Sequence, residues 1–289
     1  MTTLTANIGK GSDLTAGLGK GSALAANLGE GAVSTGYGTE YQAIYDAYTT
    51  KPSDATAAIW NTCVETWVAN GEWATKDVIW VYAAHTNGAG ESLINWKNPG
   101  TYDATAFNAP AHVANQGFTG AATKHIDCNW NPSTNGVNYL QNSASMGLYC
   151  RTNVQEAGRD MGVFDFTHNS QLITRFSDDK SYIWFNNNSA LSVTNTDSRG
   201  MYIVSRLDAT DQDLYRNKIK IIDGSAASTG VPNRKLYVLA QNNNGVIQNP
   251  TTRQISMAFA GAGMTQTQVN NFTDPFEVAM DALGTGVIP

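Results

Sequence analysis

Carboxylates, imidazoles, thiols and exposed aromatics are the groups from which a site could be built in this chain. Its seven glutamates are Glu30, Glu40, Glu65, Glu72, Glu91, Glu156 and Glu277, and none has an acidic residue two places on. Retaining glycoside hydrolysis on a sheet needs two carboxyl groups about 5 Å apart, a spacing that alternate strand positions of an E-x-D-x-x-E segment supply. That segment is absent. His85, His112, His125 and His168 have no G-x-S-x-G turn to serve as bases and no short paired spacing for a metal. Cys63, Cys128 and Cys150 are odd in number without C-x-x-C spacing, which reads as buried free thiols. The reading is of a protein that is not an enzyme.

Two groups of side chains could still bind something. Trp96, Trp130, Tyr182 and Trp184 lie beside amides such as Asn186, and an aromatic face ringed by amide donors is what a sugar needs. In a sandwich, alternate aromatics mostly face the core, so the same residues also read as core. Asp208, Asp211 and Asp213 in LDATDQDLYRN offer oxygens to calcium, the one cofactor this sequence suggests, or simply cap a hairpin turn.

These residues need a frame, and most of it reads as β. From Asp77 onward come DVIWVYAAH, GFTGAATKHIDCNW, ASMGLYCRTN, MGVFDFTH, QLITRFSDDKSYIWFNNN, GMYIVSRLD, LYRNKIKIID, RKLYVLAQNN and RQISMAFAGAG, separated by Asn- and Gly-rich turns. Nine or more strands without intervening helical periods imply an antiparallel sandwich. Ahead of them, two amphipathic helices are expected in 37–76, the second capped by Ser53 or Asp54 and closed by Asn70-Gly71. A final helix is expected over 264–284, with Val269, Phe272, Phe276, Met280 and Leu283 on one face.

The first 36 residues differ from all of this. LTANIGKGSD, LTAGLGKGSA and LAANLGEGAV repeat in register, placing Leu4, Ile8, Leu14, Leu18, Leu24 and Leu28 at equivalent points before each Gly-x-Gly. Such a segment buries too little alone to offset its ordering entropy. It reads as an arm ordered by identical chains or by a larger surface, with a flexible tether as the alternative.

Only 15% of residues are charged and the net charge is −6, which argues against a nucleic-acid binder. No segment reads as a signal peptide or a membrane span.

LINWKNPGTYDA (Leu93 to Ala104), GFTGAATKHIDCNWNPS (Gly117 to Ser133) and RQISMAFAGAGMTQTQ (Arg253 to Gln268) resemble the concanavalin A-like (LamG-like) jelly-roll domain of tailed-phage and prophage virion structural proteins. That resemblance implies a two-sheet jelly roll over 77–289, preceded by helices and by the arm. It also implies a virion location after synthesis in the host bacterial cytoplasm. The expectation is therefore a non-enzymatic head fibre, capsid decoration or tail-associated protein, joined to other capsid or tail proteins through its arm and forming a homo-oligomer, preferably a trimer. A carbohydrate-binding adhesin for host-surface or mucin-like glycans is the alternative, and a glycoside hydrolase the third reading.

Overall fold

The computed structural model describes residues 36–289. The arm residues Leu4, Ile8, Leu14, Leu18, Leu24 and Leu28 lie outside the described residues.

Two antiparallel sheets form a sandwich. The eight-stranded sheet runs in the order Ile219–Ile222, Asp213–Arg216, Gly200–Arg206, Ala144–Cys150, Gln254–Gly261, Gly117–Thr119, Ala111–Val113, and Lys76–Val81 also pairs with Gln254–Gly261. The nine-stranded sheet runs Leu191–Thr194, Lys180–Asn187, Asn169–Ile173, Met161–Phe164, Tyr237–Val238, His125–Asp127, Thr105–Phe107. Gln241–Asn243 joins it in parallel beside Met161–Phe164 and hairpins with Val246–Gln248.

Between the sheets, Val78, Trp80, Leu148 and Val204 meet Ile126, Met161, Leu172 and Phe185 in one core. The other face of the eight-stranded sheet is also covered. Ile79, Tyr149, Ile203 and Phe259 pack there against Tyr41, Trp60, Trp67, Phe272 and Phe276 of the helices. That sheet is a middle layer, which explains why Ala144–Cys150 and Gly200–Arg206 are buried at every position and show no polar alternation.

The helices are positioned by their ends. Asp54–Ala69 is capped by Ser53, whose hydroxyl accepts from the Thr56 amide at 3.3 Å, and is followed by Gly71 in the left-handed region at φ 83°. Gln266–Ala282 begins with a capping box between Thr265 and Gln268, and buries Val269, Phe272, Phe276 and Met280. Its Phe272 ring stacks on Trp67 at 4.7 Å, while the Trp67 indole N–H donates to the Phe272 carbonyl at 2.9 Å.

A buried ion pair ties one sheet to the other. Arg253, just before Gln254–Gly261, donates through Nη1 to Asp160 at 2.8 Å, just before Met161–Phe164, and both side chains are fully buried. Asp160 also accepts from the Thr174 amide at 2.7 Å, so its charge is satisfied on two sides.

Candidate functional site

With the eight-stranded sheet covered on both faces, the outer face of the nine-stranded sheet is where side chains meet solvent over a broad area. Directly paired residues share a face, so the register assigns it. Trp184 pairs with Gln171, Gln171 with Gly162, Gly162 with Tyr237, Tyr237 with Asp127, and Asp127 with Thr105. The adjacent row, Ile183, Leu172, Met161, Val238 and Ile126, points into the core. Strand Lys180–Asn187 therefore alternates: Ser181, Ile183 and Phe185 are buried, while Lys180, Tyr182 and Trp184 are partly exposed.

Two aromatic groups stand on this outer face. At one end the Tyr182 and Trp184 rings lie 6.0 Å apart and 20° from coplanar, with Phe176 edge-on to Tyr182 at 5.6 Å. Together with Ile173 and Arg159 they line a pocket of about 210 Å³. Toward the other edge, Phe107 stacks on His125 at 4.9 Å and His125 on Tyr237 at 4.6 Å. Burial pushes the His125 imidazole below its ordinary pKa, against the opposing pull of the Thr123 carbonyl and Asp127.

Amides fill the space between. Gln241 donates through Nε2 to Gln171 at 2.8 Å and to Asn169 at 3.2 Å, across Gly162, where a Cβ would come within 3.1 Å of the Gln171 side chain. The Gln171 amide nitrogen itself has no hydrogen-bond partner.

Charges border the aromatic pocket. The Tyr182 phenol donates to Asp178 Oδ2 at 2.7 Å, and Lys180 stands 3.7 Å from the same oxygen. This hydrogen bond raises the phenol pKa and, with Lys180 as a lesser contributor, lowers that of Asp178. Arg175 is paired with Asp179 at 2.7 Å. The Asn249 side-chain amide lies 3.1 Å from Arg159 Nε and 3.3 Å from Nη2, and is best satisfied with its oxygen turned toward the guanidinium to accept from both.

Of the residues suggested by the sequence, the structure brings Tyr182 and Trp184 together on the surface and separates the rest from them. Trp96 lies in the helix-side core, edge-on to Trp60 at 5.3 Å, and Trp130 lies in the inter-sheet core against Tyr139. Both are 1% exposed, which removes them from any sugar-contact surface. Asn186 is buried and spends its amide on the Leu140 and Gln141 carbonyls and on Tyr139, which fixes a loop rather than a ligand.

The suggested calcium ligands are likewise used internally. Asp208 accepts from the Thr210 and Asp211 amides, Asp211 from the Leu207 amide, and Asp213 is ion-paired with Lys220 at 2.6 Å. Among the described residues no three His, Cys, Asp or Glu side chains gather in a way that could hold a metal.

Cys63, Cys128 and Cys150 are buried free thiols. The contact of His112 Nε2 with Ser92 at 2.7 Å is built the wrong way for nucleophilic catalysis. The serine hydroxyl already donates to the Thr86 carbonyl at 2.8 Å, so the imidazole N–H donates to the serine and to the Tyr82 carbonyl. Arg159 and Phe176 were missed: Phe176 reaches the pocket across a tight turn, and no spacing signals Arg159.

No family model matches the chain, and no curated protein does. Among solved structures, it is similar to a mutant of Trypanosoma rangeli sialidase displaying trans-sialidase activity, with a TM-score of 0.51 and 10% identity over 80% of this chain and 40% of that one. It is also similar to Trypanosoma rangeli sialidase in complex with 2,3-difluorosialic acid, with a TM-score of 0.51 and 9% identity over 77% of this chain and 40% of that one. Domain 4 of AbnA, a GH43 extracellular arabinanase from Geobacillus stearothermophilus, in complex with arabinotriose, matches with a TM-score of 0.46 and 14% identity over 69% and 98% of the two chains. The chain thus spans about two fifths of the sialidases it matches. At such identity the likeness is one of fold, and no residue is carried across.

These findings correct two expectations. The chain was expected to be a non-enzymatic virion structural protein with a phage-type jelly roll, and instead its fold is shared with carbohydrate-processing enzymes, with no phage protein among the matches described here. The expectation that it is not an enzyme is overturned with it: it rested on the absence of a glutamate motif, a G-x-S-x-G turn and paired histidines, whereas the solved structures that share the fold are sialidases.

Proposed function

We propose that this chain is a carbohydrate-binding module of a carbohydrate-active protein, with the outer face of the nine-stranded sheet as its sugar-binding surface. One observation carries the reading: Tyr182 and Trp184 lie nearly coplanar and partly exposed in a pocket with Arg159, on the sheet face that no helix covers. Rings in this position present an apolar surface to the C–H face of a sugar, while a phenol and a guanidinium supply polar contacts at its rim. The fold likeness to sialidases supports a carbohydrate setting.

A glycan array covering neutral and acidic oligosaccharides tests this. Binding is expected for the wild type, with a loss of at least about tenfold in Trp184→Ala, whose fold should be intact by circular dichroism. A blank array for the wild type would overturn the reading.

A second reading, cleavage of a glycosidic bond, is favoured by the hydrogen bond from Tyr182 Oη to Asp178 at 2.7 Å. A phenol with a carboxylate in reach has the geometry of a nucleophile with its base. Because the phenol pKa is raised, Asp178 would take its proton as the oxygen attacks the anomeric carbon, the departing sugar oxygen would take a proton from water, and a second water would then cleave the glycosyl–tyrosine bond and restore the phenol. Tyr182→Phe keeps the stacking ring, so turnover lost with binding retained supports cleavage. Equal turnover in the two proteins, or none in either, removes it.

A further inference from the structure

The aromatic pocket contains a cation that no carboxylate among the described residues pairs with. Arg175, Arg199, Arg216 and Arg253 each lie within ion-pair distance of an aspartate. Arg159 has no such partner among the described residues, and its guanidinium meets only the neutral amide of Asn249. Burial depresses its pKa, with no carboxylate acting in opposition. A guanidinium does not lose its proton near neutrality, so the cost of partly desolvating it stands until an anion arrives.

The geometry limits what that anion can be. Asn249 occupies Nε and one side of Nη2, which leaves the edge formed by Nη1 and Nη2, with two parallel N–H donors. That edge matches the two oxygens of a carboxylate. The volume of about 210 Å³ is below that of sites for drug-sized ligands and suits a single sugar ring. A ring lying on Tyr182 and Trp184 carries a C5 carboxylate at its rim, so stacking and ion pairing use different parts of it. The nearby acids do not supply the missing charge: Asp178 is engaged by Tyr182 and Lys180, and Asp179 by Arg175.

We propose that this pocket selects a uronic acid, with Arg159 receiving its carboxylate while Tyr182 and Trp184 hold the ring. The proposal rests on the carbohydrate-binding reading and narrows its substrate class to acidic polysaccharides.

Calorimetric titration with oligomers of glucuronate, galacturonate and mannuronate, each beside its own methyl ester, isolates the charge because ester and acid share every other atom of the ring. At least one acid is expected to bind about tenfold or more tightly than its ester, the effect of one charge-assisted hydrogen-bonded pair. In Arg159→Gln the acid should lose more affinity than its ester, until the preference between them vanishes. Arg159→Lys, which keeps the charge but not the fork, should retain only part of it. Raised salt should narrow the gap between acid and ester.

Equal affinity for acid and ester in the wild type overturns the proposal, as does a preference that survives Arg159→Gln. A sulfated oligomer bound more tightly than every uronate also overturns it. If neutral glycans bind on the array and no uronate does, the uronate assignment fails while the carbohydrate reading stands. If nothing binds in either experiment, both fail.

Discussion

Trp130 and Trp184 should respond in opposite ways to the same substitution. Trp130 is fully enclosed between the sheets, so Trp130→Ala is expected to cost about 3–5 kcal/mol in urea unfolding. Trp184→Ala removes a partly exposed ring and is expected to cost about 1 kcal/mol or less while weakening the proposed sugar binding about tenfold or more. Asp160→Asn is expected to cost about 3 kcal/mol, because it leaves the buried Arg253 with only the more distant Glu156, at 3.8 Å, as counter-charge. Glu91 gives a pH-dependent case. Burial alone would raise its pKa, but the amides of Ala89 at 2.8 Å and Thr50 at 3.0 Å outweigh it and hold the carboxyl below its ordinary range. A depressed carboxylate stabilises the fold above its unfolded pKa, about 4.3 for glutamate, and that contribution is lost as pH falls through the folded value. The melting temperature of Glu91→Gln should therefore lie below that of the wild type at neutral pH, with the gap closing below about pH 4.

Among the elements, the strand Lys180–Asn187 shows how far a pattern can be read. Its alternation of Lys180, Tyr182 and Trp184 with Ser181, Ile183 and Phe185 is plain in the letters, and identifies a strand with two unlike faces. Which face is the core is not in the letters, because both carry aromatics, and only pairing with Leu172 and Ile173 decides it. Trp96 and Trp130 misled for a related reason. Each has asparagine neighbours that resemble a ligand rim, yet Asn95 is used to accept from the Ile79 amide at 3.1 Å and Asn129 to donate to the Asp103 carbonyl at 2.8 Å. Strands of three residues, such as Ala111–Val113 and Thr105–Phe107, are too short for any periodicity to show. Helices are more legible because their ends are chemical. For Gln266–Ala282, Thr265→Ala removes the capping hydroxyl and should cost about 1 kcal/mol, measurable as a shift in urea midpoint without a change in slope.

For the whole molecule, the order of layers decides which surfaces are available. Helices cover one face of the eight-stranded sheet and the second sheet covers the other, so the outer face of the nine-stranded sheet lies beyond both cores. Removing residues 266–289 should expose Phe259, Met257 and Tyr149 together, and the truncated protein is expected to bind a hydrophobic dye and aggregate. A two-sheet sandwich was legible from turn residues and strand spacing, whereas the covering of one sheet by helices lies in long-range packing such as Trp67 on Phe272. The same layering has an optical consequence. The protein has seven tryptophans, of which Trp60, Trp67, Trp73, Trp80, Trp96 and Trp130 are buried. Trp184 is the seventh and lines the aromatic pocket. An aqueous quencher such as iodide should therefore extinguish the fluorescence of this one indole, and a bound ligand should shield it, so the native chain carries its own reporter of occupancy without a label.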